Sequence, residues 1–121
     1  FEDYRFTLPD VIADNTSAGR FLLGPNQVAP SAIDDIRLLG CVLRLNGGVA
    51  ATAAGAAAMG HPAASVAWLA NQLGERGEAL KAGWIIFSGG LTAPIPLTAE
   101  NVITAEFDGL GTIEVFAEYA E

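Results

Sequence analysis

The chain has 121 residues, a length that suits one domain with a real core. Fourteen acidic residues oppose six basic ones, for a formal net charge of −8. The six cations are scattered, which argues against nucleic-acid binding and against attraction to anionic membranes. About half the residues are hydrophobic, yet no apolar run reaches membrane-spanning length, so a soluble globular chain is expected.

Taken in chain order, the first marked segment is Asp14-Asn15-Thr16-Ser17, whose side chains suit an Asx-type turn. A helical turn is expected near 31–36, with Ser31 as its cap and Asp34 three residues on. Cys41 is the single cysteine and sits in the apolar run Leu-Leu-Gly-Cys-Val-Leu. It can form neither an internal disulfide nor a multi-thiolate metal site, and a buried, inert thiol is expected, in keeping with a cytoplasmic location. Val42–Leu45, Asn46-Gly47-Gly48 and Val49–Thr52 read as a β-hairpin, because Asn-Gly accepts positive φ at both turn positions. No methionine starts the chain and no secretory pattern precedes Phe1, so an upstream segment is expected to have been removed or left out.

A helix is expected over 62–74. Pro62 suits the first turn, Val66, Leu69, Ala70 and Leu73 fall on one face, and Gly74 or Gly77 can close it. His61, the only histidine, reads as a helix-start residue rather than a base. Trp84–Phe87 reads as a buried strand broken by Ser88-Gly89-Gly90, and Trp68 and Trp84 as core or interface mass. Val102–Phe107 alternates, with Val102, Thr104 and Glu106 on one face and Ile103, Ala105 and Phe107 on the other. Glu106 and Asp108 are read as a solvated face. A turn begins at Asp108-Gly109, and Thr112–Phe116 returns as a strand. The total is about seven short strands and one firm helix.

Several of these blocks carry a resemblance. Gly-His-Pro-Ala-Ala-Ser-Val-Ala-Trp-Leu-Ala-Asn (60–71), Leu-Lys-Ala-Gly-Trp-Ile-Ile-Phe-Ser-Gly-Gly-Leu-Thr (80–92), Phe-Asp-Gly-Leu-Gly-Thr-Ile-Glu-Val (107–115) and Leu-Pro-Asp-Val-Ile-Ala-Asp-Asn-Thr-Ser (8–17) stand in order. Together they resemble the C-terminal part of the 2-oxopent-4-enoate hydratase and 4-oxalocrotonate decarboxylase family, within the fumarylacetoacetate hydrolase superfamily. The resemblance implies an α+β, β-rich fold: a mixed, mostly antiparallel β-roll with one main helix. It implies one domain over 1–121, matching the C-terminal part of the family's catalytic domain and lacking the N-terminal metal-binding part.

It also implies a lyase acting on unsaturated 2-oxo or 2-hydroxy acids from aromatic-compound breakdown. In the family the cofactor is Mg²⁺ or Mn²⁺ on a Glu-x-Glu pair and a further acid, and it stabilises a dienolate. Glu-x-Glu does not occur here, so no metal ligand is assigned and the chain alone is expected to be inactive. The residues matching the family's site are Ser17, as a carboxylate holder, and Ser88, Gly89, Gly90 and Thr92, as either a tight turn or a pocket wall; Asp14 and Asn15 would shape the loop. A small carboxylate is the expected ligand and a homo-oligomer the expected assembly. Ala99-Glu100-Asn101 departs from the family's Gly-Asp turn. The rival reading is a stand-alone, non-catalytic binding or assembly module, and a third is an inactive relic.

Overall fold

The computed structural model describes residues 5–14, 16 and 18–118. Four strands appear among them: β1 (Gly40–Leu45), β2 (Gly48–Ala54), β3 (Val102–Phe107) and β4 (Gly111–Phe116). They form one antiparallel sheet in the order β2-β1-β3-β4. The helices are α1 (Leu8–Ala13) and α2 (Pro62–Gly74). No helix among the described residues is long and apolar enough to cross a membrane.

The β1–β2 hairpin forms where expected. Asn46 (φ 49°) and Gly47 (φ 83°) supply the two positive-φ positions of the turn. Asn46 also ties the hairpin to its neighbour: its Oδ1 accepts from the Val102 N–H at 2.8 Å, and its N–H donates to the Val102 carbonyl at 2.8 Å. One side chain thereby fixes where β3 begins against β1.

The register sorts the side chains into two faces. Cys41 opposes Phe107, Leu43 opposes Ala105, and Ala105 opposes Ile113, so these share the apolar face. The other face carries Arg44, Thr104, Glu106 and Glu114. There the Arg44 Nε donates to Glu106 at 2.6 Å, so Glu106 is ion-paired on a polar face, as half-exposed as its pleat position dictates.

α2 occupies 62–74 as its pattern predicts. His61 caps it: its Nδ1 accepts from the Ala63 N–H at 3.0 Å. The chain leaves in a Schellman arrangement, with Glu78 N–H on the Leu73 carbonyl (2.9 Å), Gly77 N–H on the Gly74 carbonyl (3.0 Å), and Gly77 at φ 74°.

Several expectations are corrected. The described residues hold four strands rather than about seven. Trp84–Phe87 is not a buried strand: it has no regular secondary structure, and Trp84, Ile85 and Phe87 are 54–62% exposed. Trp68 and Trp84 are more than half exposed, so neither is core. The turn near 31–36 shrinks to a 3₁₀ turn at Pro30–Ala32. Ser31 lies inside it without capping it, because Ala29 holds the cap position. The turn that follows is built by Asp35, whose carboxylate accepts from the Arg37 N–H at 2.9 Å. α1 was not foreseen; Thr7 and Asp10 lock its start, the Asp10 carboxylate accepting from the Thr7 N–H (2.8 Å) and hydroxyl (2.7 Å).

Candidate functional site

The apolar face of the sheet is the floor of a cleft of about 400 Å³. Cys41 and Leu43 of β1 and Ala105 and Phe107 of β3 form that floor. Ala105 is the reason for the hollow: it is the small residue between Leu43 and Ile113, its cross-strand partners. The wall is the segment after Phe87, with Ser88, Gly89, Leu91 and Thr92 all lining the space. Leu110, from the β3–β4 turn, closes one end.

Three of the five residues expected to bind substrate thus converge on one cleft. Gly90 lies between them but outside the lining. Ser17 and Asn15 lie outside the described residues. Asp14 caps the C-terminus of α1, its N–H on the Asp10 carbonyl at 2.9 Å, and Thr16 has φ 56°. The chain beyond it runs back to the cleft. The Phe21 ring meets Phe87 edge-on at 5.4 Å, Gly24 approaches Ile113, and Asn26 Nδ2 donates to the Leu110 carbonyl at 3.1 Å.

Ser88 also lines an adjoining cavity of about 550 Å³, which reaches Asp34, Asp35 and His61 at the start of α2. A third hollow, of about 300 Å³, holds Asp34, Asp35 and Asp108. Sequence reading missed this convergence because the residues are far apart along the chain and no spacing links them. Leu110 lies in the Gly109-Leu110-Gly111 turn, which reads from sequence as a hairpin connection and which the resemblance implies also approaches the cleft.

The electrostatics of the acids argue against an ion here. Two hydrogen bonds to the Arg37 guanidinium, at 2.9 and 2.6 Å, hold the Asp35 carboxyl down to about 2. That carboxylate is already committed. Among the described residues, no group of three or more His, Cys, Asp or Glu is placed to hold a metal ion. The described residues therefore do not fit a divalent cation. Cys41, 5% exposed, has its thiol pushed up by burial, which keeps it protonated and makes it floor rather than nucleophile.

A four-stranded antiparallel sheet whose apolar face is a cleft floor, walled by a serine-glycine loop, defines an α+β scaffold with one principal helix. The chain belongs to the fumarylacetoacetate hydrolase family: residues 2–115 match its C-terminal domain. It is 47% identical over 113 residues to the 4-oxalocrotonate decarboxylase of Pseudomonas sp. (strain CF600), covering 93% of this chain and 42% of that protein. It is 36% identical over 113 residues to the 2-hydroxyhexa-2,4-dienoate hydratase of Comamonas testosteroni, again 93% of this chain and 42% of the relative. The solved 4-oxalocrotonate decarboxylase from Pseudomonas putida G7, complexed with magnesium and adipate, superposes with a TM-score of 0.90 at 42% identity, over 99% of this chain and 44% of that one. The same enzyme complexed with calcium and acetate gives 0.83 at 44% identity, over 91% of this chain and 41% of that one. The chain spans less than half the length of these relatives.

Proposed function

We propose that this chain supplies the carboxylate-binding wall and apolar floor of a divalent-metal-dependent lyase acting on an unsaturated 2-oxo or 2-hydroxy acid. The observation that carries the reading is the convergence of Ser88, Gly89 and Thr92 over the Cys41–Leu43–Ala105–Phe107 floor. It occurs in a chain that belongs to this family. Two hydroxyls and a glycine backbone can hold a carboxylate by hydrogen bonds, and the floor takes the carbon chain and excludes water. Decarboxylation is the better supported reaction, at 47% identity against 36% to the hydratase over spans of equal length.

The metal in this reading belongs to the portion of the domain that the chain does not span, and it would stabilise the charge that builds up on the substrate. This chain's own residues bind, orient and desolvate. Ser17, by its place in the sequence, would add a further hydroxyl, and Asp14 and Asn15 would shape its loop. By itself the chain would not turn over substrate. The rival, a non-catalytic binding module, would bind the carboxylate and never react.

The test is a fusion in which the portion of the P. putida G7 decarboxylase with no counterpart here precedes this chain. With Mg²⁺, loss of 4-oxalocrotonate is expected, and Thr92→Val should raise KM by about tenfold, the worth of one hydrogen bond to a charged group. A folded fusion that binds Mg²⁺ but turns over neither 4-oxalocrotonate nor 2-hydroxypenta-2,4-dienoate would sink the enzyme reading in favour of the module.

A further inference from the structure

Asn46 is the only one of the chain's asparagines that precedes a glycine. Such a pair is chemically labile, because glycine leaves its own amide nitrogen unshielded by a side chain. The Gly47 nitrogen can attack the Asn46 Cγ: an N–C bond forms, the Cγ–Nδ2 bond breaks, and ammonia leaves with the Gly47 proton. Water then opens the cyclic imide, adding OH to a carbonyl carbon and H to the nitrogen. Opening at Cγ gives aspartate; opening at the main-chain carbonyl gives isoaspartate. Both residues are exposed at the tip of the β1–β2 hairpin, so water and base reach them. The fold opposes the attack, which needs Cγ free to swing onto that nitrogen. The Asn46 Oδ1 accepts from the Val102 N–H at 2.8 Å, and its Nδ2 donates to the Asn101 Oδ1 at 2.9 Å. The backbone donor fixes which way the amide points. Asn101 is held in turn, its Nδ2 donating to the Thr98 hydroxyl and its carbonyl accepting from the Ala117 N–H at 3.0 Å.

We propose that Asn46-Gly47 is a latent deamidation site, held closed by the bonds to Val102 and Asn101, whose isoaspartate product unties β3 from the hairpin. Aspartate can keep the bond to the Val102 N–H. Isoaspartate cannot keep the register: it adds a main-chain carbon to a turn made only of Asn46 and Gly47, between the paired residues Leu45 and Gly48. It also draws the oxygen acceptor back toward the main chain, away from Val102, where β3 begins. The damage reaches the cleft, because β1 and β3 supply its floor of Cys41, Leu43, Ala105 and Phe107. The same two bonds that set β3 against the hairpin thus also guard the residue that makes them. Nothing in this chemistry depends on what the cleft binds.

Timed incubation of the chain at mildly alkaline pH, then tryptic digestion and mass spectrometry, reads the amide-to-acid mass gain at Asn46. Asn71, which precedes Gln72 on the same tryptic peptide, is the internal reference. Deamidation at Asn46 should run at least about tenfold slower in the folded chain than in guanidinium, because it must wait for local opening. Asn101→Ala should speed it in the folded chain by about fivefold, the worth of one neutral hydrogen bond. In guanidinium the same variant should match the parent, which separates a lost restraint from an altered sequence. The isoaspartate form, once isolated, should melt several degrees lower and exchange its β3 amides faster than the fresh chain. A folded-chain rate equal to or above that in guanidinium would overturn the proposal, since the Val102 N–H would then polarise the amide instead of restraining it. So would an isoaspartate form as stable as the fresh chain. If Asn101→Ala does not fold, the folded and unfolded rates of the parent and the melting of its isoaspartate form still decide.

Discussion

The β1–β3–β4 ladder and the Trp84–Leu97 segment have similarly apolar sequences and opposite fates. In the ladder every strand finds a neighbour within the chain, and the alternation of Ile103, Ala105 and Phe107 places one face over the cleft. The Trp84 segment keeps the residues of a strand and lacks the ladder. Trp84, Ile85, Phe87 and Leu97 stay exposed even where Phe21 leans on Phe87. Apolar composition says what a segment is able to bury; only topology says against what. That gap also explains why just two apolar side chains among the described residues, Cys41 and Ala58, are buried.

The largest expected effect lies where the ladder's end is locked to the loop that precedes it. A Cβ added at Gly55 would sit 1.8 Å from the Ile36 carbonyl oxygen and 2.9 Å from its carbon, both rigid backbone. Gly55 N–H and Ala56 N–H also bond the Leu39 and Arg37 carbonyls, at 3.0 and 2.8 Å, so the two strands of chain cannot part cheaply. Gly55→Ala should cost about 3 kcal/mol or more, read from urea unfolding. A loss under about 1 kcal/mol would mean that the 36–39 loop is not held to the sheet.

Leu43→Ala comes next. Leu43 is half-buried on the apolar face between Ala51 and Ala105. Partial exposure puts the cost at the low end of such truncations, about 2 kcal/mol. The same variant enlarges the cleft floor, so a change in ligand affinity should accompany the loss.

What was legible in the sequence follows the same division. The hairpin, α2 with its His61 cap, and the β3–β4 pair were readable because turn chemistry and periodicity are local. The resemblance implied Ser88, Gly89 and Thr92 as either a tight turn or a pocket wall, and the three line one cleft. The meeting of Asp34, Asp35 and His61 was not readable, because folding alone brings those positions together. Trp84–Phe87 was read as a buried strand and is neither a strand nor buried, since pairing and burial depend on a partner that no periodicity encodes.

The Asp35–Arg37 pair offers a pH test of the loop next to the cleft. Its folded-state value of about 2 lies below the ordinary 3.8. The stabilisation it contributes is therefore complete above the ordinary range and fades as pH falls through about 2. In Arg37→Ala the Asp35 carboxyl should titrate back near 3.8, followed by NMR. An unchanged titration would mean that the hydrogen bonds at 2.6–2.9 Å do not persist in solution.

Glu100 sits at φ 67°, in the left-handed region that favours glycine, at the turn where the sequence departs from the family's Gly-Asp. Its N–H still bonds the Ala117 carbonyl at 2.8 Å, so the turn is kept despite the strain. Glu100→Gly relieves the Cβ clash and loosens the unfolded chain, and the net gain should be about 0.5–1 kcal/mol by thermal unfolding.

The smallest effect is the sharpest test of the comparison. Ile85→Ala removes an aliphatic side chain comparable to that of Leu43, from a segment as apolar as any strand. Ile85 is 54% exposed and makes no backbone hydrogen bond among the described residues. In the isolated chain its truncation should change stability by less than about 0.5 kcal/mol, the range of an ordinary surface position. The contrast with Leu43 would then be one of partnership, since the two residues have similar hydrophobic content. In the fusion that supplies the missing portion, the same substitution should rise toward the cost at Leu43 if the added portion covers Ile85. Equal, small losses in both settings would show that Trp84–Phe87 is a surface loop by nature, and the distinction between the two regions would fall.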